Sequence, residues 1–474
     1  MADTTLLIED QHHRRAKYIL PILSAWVGSF SLGTVLGYSS PALPSFDEPG
    51  SHIQLDGFLK SFFVSLMALG AVLGCICAGF LNESVGRKGT LIFTSLPFIS
   101  GWVLMACAGN LDSVAALMIG RFLTGLCCGL VSLTAPVYIS ETCDPDKRGF
   151  FGSGFQLSVT FGIVITYVIG KYLNWADLAL LLTLFPFLFL ITILWMPESP
   201  AWLLKKGRIS EATEANLFLY GAEGSRRVAV DVSIPTIDSD SEGSEDGSFA
   251  VLRQIRLFRH VQYYKPMLIS IALMFFQQFC GVNAIITSMS SIFQKSNFQM
   301  ISASDSSIIV GFIQVFATLI ACFLSDKFGR KMLTIMSSTG TAISLIPLAI
   351  FDYISTIKNS PEFNHTYGWI PIVSVIVFII FFSLGLGPIP WLIMGELIPF
   401  RAKGISTLIA ASFNWFCAFI IIVTFLNYIN SYYIYIIFCM VSITSAIFTL
   451  IYLPETKGKS FHELELLFAP NVPQ

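Results

Sequence analysis

The sequence predicts an all-α membrane protein of twelve transmembrane helices in two related six-helix halves. Three observations predict it: a shortage of charge, twelve long apolar runs, and a set of charged motifs that occurs twice. Of 474 residues, 54% are hydrophobic and 12% charged, and mean hydropathy is +0.72. A soluble domain needs roughly a quarter of its residues charged to cover its surface. Half that fraction implies a surface that mostly faces lipid.

Apolar runs of about 20 residues are long enough to cross a bilayer core as helices. They lie near 18–43, 58–81, 89–109, 113–139, 150–172 and 177–196, then near 266–293, 306–325, 332–351, 369–397, 404–428 and 431–453. Several exceed a minimal span, which predicts tilt or interfacial extension. No cleavable signal peptide is visible: a polar segment with His12, His13, Arg14, Arg15 and Lys17 leads straight into the first span. Twenty-three of the 28 Lys and Arg residues fall on the side of the amino terminus, four (Lys60, Lys171, Lys295, Lys358) on the other, and Arg121 inside a helix. This asymmetry predicts both termini in the cytoplasm; the expected location is the plasma membrane.

The expected organisation is an amino tail (1–17), a first half (18–196), a cytoplasmic linker (197–265), a second half (266–453) and a carboxyl tail (454–474). The linker begins with a helix-compatible stretch, 201–220. Its acidic, Ser/Gly-rich stretch at 238–246 has no apolar residues and is expected to be a solvated, disordered connection. The ten cysteines lie nearly all within spans and lack metal-ligand spacing, so small apolar packing is their expected role. The sequon Asn364-His365-Thr366 falls in an expected outer loop and predicts a glycan; Asn82-Glu83-Ser84 falls on the cytoplasmic side.

The two sides of the linker repeat each other. Phe80 to Lys88 matches Phe323 to Lys331 at an offset of 243, with Gly86-Arg87-Lys88 corresponding to Gly329-Arg330-Lys331. Glu141 and Glu396 end the fourth span of each half, with Arg148 and Arg401 shortly after; Pro197-Glu198 and Pro454-Glu455 end the sixth. The glycines permit tight turns that bring the basic residues to carboxylates and helix ends. Glu83, Arg87, Glu141, Arg148, Glu198, Asp326, Arg330, Glu396, Arg401 and Glu455 are therefore expected to form a cytoplasmic gate, a ring of ion pairs joining the halves. Single exposed pairs are worth only about 0–1 kcal/mol, but a set can bias a two-state equilibrium. Arg121 sits within a span, where arginine is costly and usually paired or cavity-facing; no partner is apparent from sequence.

Amides and indoles suit a cavity for a neutral, hydroxyl-rich solute, because amides both donate and accept and aromatic faces cover apolar ring edges. Gln156, Gln277, Gln278, Asn283, Gln314, Trp391, Asn414 and Trp415 lie inside spans and are the candidate substrate-binding residues. Gln277, Gln278 and Asn283 can share a broad face of a continuous helix. Gly385-Leu386-Gly387-Pro388-Ile389-Pro390-Trp391 predicts a discontinuous tenth span. The first span has no Asp, Glu, Lys or His between Ile19 and Pro44, and no other span has an acid at mid-depth, so no proton relay is visible. Nothing predicts ATP, a nucleic-acid partner, a cofactor, a metal or an enzymatic nucleophile–base set.

Two parallel six-helix repeats are the architecture of the major facilitator fold. Gly120-Arg121-Phe122, Pro136-Val137-Tyr138-Ile139-Ser140-Glu141, Pro197-Glu198-Ser199-Pro200, Gln277-Gln278-Phe279-Cys280-Gly281-Val282-Asn283, Gly387-Pro388-Ile389-Pro390-Trp391 and Pro454-Glu455-Thr456-Lys457-Gly458 resemble the sugar porter family of that superfamily over nearly the whole chain. Ser40-Pro41-Ala42-Leu43 and Gly154 to Thr160 look most like its insect-type facilitated trehalose transporters. The resemblance implies that Gln156, Gln277, Gln278, Asn283, Trp391 and Asn414 contact sugar. It also exposes departures: Glu83 for the usual Asp, Gln314 for Asn, Thr287-Ser288 for a tyrosine pair in glucose facilitators, and Ser383 for a glutamate. The expected function is facilitated diffusion of a neutral sugar, trehalose or a hexose, by a monomer in the lipid bilayer. A proton-coupled symporter and a non-transporting sugar sensor are the alternatives.

Overall fold

The computed structural model describes residues 17–48, 51, 53–143, 148–221, 258–296, 302–358, 361–399, 402–427, 431–459 and 461–468. The basic cluster 12–15, the acidic stretch 238–246 and Arg401 lie outside the described residues, as do the side chains of Arg148 and Asp326. Among the described residues all regular structure is helical, and twelve helical segments are long and apolar enough to cross a membrane.

The first half contains α1 (Ile19–Ser45), α2 (Gly57–Ser84), α3 (Gly86–Cys107), α4 (Val114–Thr142), α5 (Arg148–Gly170), α6 (Trp175–Leu182) and α7 (Leu184–Leu194). The last two form the sixth span. Its bend at Thr183 follows from Pro186, which cannot donate to the Leu182 carbonyl and crowds it. Side chains cap the polar-facing starts: Asp56 accepts from Leu59 N, and Asn174 from Ala176 N and Asp177 N. Glycines let backbones touch: a Cβ on Gly33 would lie 2.1 Å from Val159 O, and one on Gly162 2.2 Å from Phe30 O. Such small-residue seams are how helices associate where lipid offers no hydrophobic drive.

Linker helices α8 (Pro200–Lys205) and α9 (Ile209–Tyr220) occupy the stretch expected to be helical. Trp202, Leu203, Ala212 and Ala215 give them a small core of their own. They are tied to the first half by Trp202 Nε1 donating to Glu83 O (3.3 Å) and Tyr220 Oη to Thr142 O (3.0 Å).

The second half contains α10 (Val261–Phe279), α11 (Val282–Thr287), α12 (Met289–Ser296), α13 (Ala303–Phe328), α14 (Arg330–Lys358), α15 (Pro361–Tyr367), α16 (Trp369–Leu384), α17 (Ile389–Leu397), α18 (Lys403–Asn427) and α19 (Ser431–Tyr452), followed by α20 (Phe461–Leu466). The tenth span breaks between α16 and α17, as its two prolines predict. The seventh breaks too, against the expectation of one continuous helix. Gly281 adopts φ +94° there, a conformation L side chains rarely take. The sequon Asn364-His365-Thr366 lies on α15 rather than in a loop, and Asn364 Oδ1 accepts from Ser355 Oγ at 2.8 Å.

The halves meet along two seams, α2 against α18 and α5 against α13. One apolar core runs through both halves.

Candidate functional site

The breaks in the seventh and tenth spans lie side by side, and amides fill the space between them. Gln277 Nε2 donates to Leu386 O (2.9 Å) and Gly387 O (2.7 Å), two carbonyls that the interrupted helix leaves without an intrahelical partner. Asn414, from α18, donates through Nδ2 to Gln277 Oε1 (2.9 Å) and Met274 O (3.2 Å). Gln278 Nε2 donates to Asn414 Oδ1 (2.8 Å), and Asn283 Nδ2 donates to Gln278 Oε1 (2.6 Å). The break at Gly281 replaces the shared face of a continuous helix. Asn283 reaches Gln278 from the next helix, α11.

This chain of four buried amides has an inner and an outer end. Asn414 is 0% exposed and Gln277 4%, against 5% for Gln278 and 8% for Asn283. Both N–H groups of Gln277 and both of Asn414 are committed to protein acceptors, whereas Gln278 and Asn283 each use one. Spare donor capacity therefore sits at the Gln278–Asn283 end.

The other sequence candidates surround this network unequally. Trp391 is half-buried and packs against two apolar clusters. Gln156 is half-buried on α5. Gln314 is buried, and its Oε1 has no partner among the described residues. Trp415 Nε1 crosses to the other half and donates to Ser132 Oγ at 3.1 Å. Thr287 Oγ1 donates to the Asn283 carbonyl at 2.6 Å, and Ser383 and Ser288 are buried.

At the end of the bundle that carries the linker, the repeated charges form two matching clusters. Glu198 accepts from the backbone N–H of Arg87 (2.9 Å), Lys88 (3.0 Å) and Ser199 (2.7 Å), so it caps the start of α3. Glu455 does the same for α14, accepting from Arg330 N (2.9 Å), Lys331 N (3.1 Å), Thr456 N (3.0 Å) and Lys457 N (3.0 Å). Gly86 (φ +86°) and Gly329 (φ +83°) serve a purpose beyond the turn. A Cβ on either would lie 2.4 or 2.5 Å from Oε2 of Glu198 or Glu455. Burial by itself raises the Glu455 pKa, but the four N–H donors outweigh it and hold the carboxyl below the usual range.

Each arginine then reaches the glutamate of its own half. Arg87 binds Glu141 through Nε (2.8 Å) and NH2 (2.9 Å), and Arg330 NH2 binds Glu396 Oε1 at 3.0 Å. Ser199 and Thr456 donate to the same carboxylates. Glu83 pairs with Lys205 of the linker at 2.8 Å. Among the described side chains at this end the ion pairs close within one half; the expected ring joining the halves also involves Arg148, Asp326 and Arg401, whose side chains lie outside the described residues. Arginine and carboxylate come from adjacent helices of one six-helix unit, so the shortest connection is internal.

The model of the family described as sugar (and other) transporter matches residues 27–468. The chain belongs to the sugar transporter family. Facilitated trehalose transporter Tret1 of Apis mellifera ligustica is 36% identical over 464 residues, 97% of this chain and 89% of that protein. The Tret1-2 homolog of Drosophila sechellia is 36% identical over 460 residues, 96% of this chain and 91% of its own. Among solved structures, the proton:xylose symporter XylE bound to 6-bromo-6-deoxy-D-glucose has a TM-score of 0.77 at 22% identity, covering 96% of this chain and 99% of that one. The inward-open form of XylE from E. coli has a TM-score of 0.70 at 22% identity, covering 94% and 99%. The fold of this sugar transporter is that of the major facilitator superfamily.

The sequence missed several partners in this family member. Arg121 is fully buried and donates to Val35 O (3.1 Å) and Ser39 Oγ (2.6 Å), with the Phe63 and Tyr38 rings 5.1 and 5.7 Å away. These acceptors are neutral. Nothing in the spacing of Ser39 and Arg121 announces the contact. Ser199 and Thr456 were readable, since they repeat at the same offset as Glu198 and Glu455.

Proposed function

We propose that the chain is a facilitative carrier of a neutral sugar, trehalose or a hexose, acting by alternating access of its two halves. The observation that carries this reading is the uncharged amide chain at the junction of two broken helices. Its outer members, Gln278 and Asn283, keep the donors and acceptors that a sugar hydroxyl needs. Gln277 and Asn414 buttress them, and Gln277 also binds the tenth span. Gln156, Gln314, Trp391 and Trp415 complete the proposed lining. Broken helices at mid-depth in a two-repeat bundle are where such carriers place their substrate.

Uniport is supported by Arg121, whose hydrogen-bond acceptors are neutral; a carboxylate whose protonation would make or break an ion pair with it is not among them. The proposed setting is the plasma membrane, with a monomer, both termini in the cytoplasm and Asn364 as a glycan acceptor on the outer side. The test is uptake of labelled trehalose, glucose and fructose in transporter-null cells, with and without a pH gradient. Equilibration without accumulation is expected. Uphill accumulation that collapses with a protonophore would make the chain a symporter instead, and binding without uptake would make it a sensor.

A further inference from the structure

At the end of the bundle away from the linker, described side chains join the two halves directly. Lys171, just past α5, pairs with Asp305 in the first turn of α13 at 2.5 Å. Asp305 is fixed from its other side by Ser302, the cap of α13, whose Oγ donates to Asp305 Oδ2 at 2.7 Å. Beneath this pair, Ser40 Oγ of α1 lies 2.9 Å from Ser290 Oγ of α12, which lies 3.2 Å from Ser307 Oγ of α13. Tyr167 Oη of α5 donates to Ile286 O of α11 at 3.1 Å. The cavity left between Ser40, Tyr167 and Ser290 is about 10 Å³, room for roughly one water.

Three of these contacts, Lys171–Asp305, Ser40–Ser290 and Tyr167–Ile286, run from the first half to the second. At the linker end the described ion pairs stay within a half, and the Phe150–Phe323 ring contact across the halves, at 6.4 Å, is apolar. We propose that Lys171–Asp305, backed by the Ser40–Ser290–Ser307 hydroxyls, is the latch that closes the end of the carrier opposite the linker.

The chemistry suits a contact that must open and close. Hydroxyls donate and accept in either sense, so each exchanges its partner for water without leaving a stranded polar atom. The ion pair keeps about a third of each side chain in solvent (32% and 40%), so water and salt reach it. At about 1 M salt the screening length falls to roughly 3 Å, and the latch weakens while the buried contacts remain. Charges inside each half at the linker end keep the six-helix units rigid, and the latch decides whether they touch at the other end. Its kinetic consequence rests on the carrier reading; its geometry does not.

The test measures distance without sugar. Spin labels on Leu111→Cys and Tyr367→Cys, exposed residues of opposite halves at this end, are read by electron–electron resonance in protein whose exposed Cys77 and Cys107 are replaced by serine. Lys171→Glu and Asp305→Lys are each expected to raise the open-to-closed ratio about two- to fivefold, the effect typical of one exposed pair. The double reversal is expected to restore the closed distance, which a general loss of folding does not do. High salt is expected to open the unsubstituted protein and, by screening the like-charge repulsion that each reversal creates, not to open either single variant further. Unchanged distances in both single variants, or a double reversal no more closed than they are, would overturn the latch. Failure of sugar uptake, by contrast, would overturn the carrier reading and leave this result standing.

Discussion

Gln277 Nε2 donates to the Gly387 carbonyl at 2.7 Å, so the seventh span is bonded directly to the break in the tenth. A residue expected to touch sugar is occupied in shaping the helix beside it. The two adjacent glutamines therefore have separable duties: Gln277 sets the geometry of the break, and Gln278 keeps hydrogen-bonding capacity toward the proposed sugar space.

That division predicts different kinetics for the two alanine variants. Gln278→Ala removes the proposed contact to sugar, so its half-saturation concentration is expected to rise about tenfold, the scale of one lost buried hydrogen bond. Gln277→Ala strands the Leu386 and Gly387 carbonyls, so maximal uptake is expected to fall with a smaller change in half-saturation. Initial rates over a range of sugar concentrations, normalised to surface protein, check both. Identical kinetics in the two variants would remove the division.

Gly329 sits at φ +83° with no room for a Cβ beside Glu455. Gly329→Ala is expected to destabilise the folded protein by about 1–3 kcal/mol, seen as a lower Tm. Part of that cost is the clash with the carboxylate. In a Glu455→Ala background the added glycine substitution should cost less, and a double-mutant cycle measures the difference. Strict additivity would mean that backbone strain alone accounts for the effect.

Glu455 also predicts a pH dependence. Its folded pKa lies below the usual range, so the unfolded chain binds the proton more readily. The stabilisation is fully present above the ordinary glutamate value of about 4.3 and is lost as pH falls through the lower folded value. Tm is expected to drop on acidification below about pH 4, and less so in Glu455→Gln. A Tm profile of Glu455→Gln parallel to the unsubstituted one would refute the role.

Arg330 and Glu396 belong to the same half, with side chains 9% and 24% exposed. Removing one partner from a largely buried pair strands the other. Arg330→Ala is therefore expected to lower Tm and surface expression. An effect on the cross-half distance at the opposite end should be smaller than that of Lys171→Glu. Spin-label distances and thermal unfolding of the same preparations compare the two.

Much of the architecture was legible before any coordinate. Span positions follow from apolar run length, because a bilayer core accepts only helices of about 20 residues. The break in the tenth span is written in Pro388 and Pro390. The break in the seventh was less so: one glycine, Gly281, sits in an apolar run that is otherwise compatible with a helix, and only its φ reveals the interruption. The amide candidates could be named by type and depth. Which of them spend their hydrogen bonds on one another depends on how α10, α11 and α18 meet.

The sequence by itself determined twelve spans in two halves and two copies of a charged motif, because hydropathy and repetition are one-dimensional properties. It could not say whether Arg87 and Arg330 reach across the halves or back into their own. Tertiary structure decided that, since pairing depends on which helix ends lie within a few ångströms. It also brought together Lys171 and Asp305, 134 residues apart, which share no motif and meet only because α5 packs against α13.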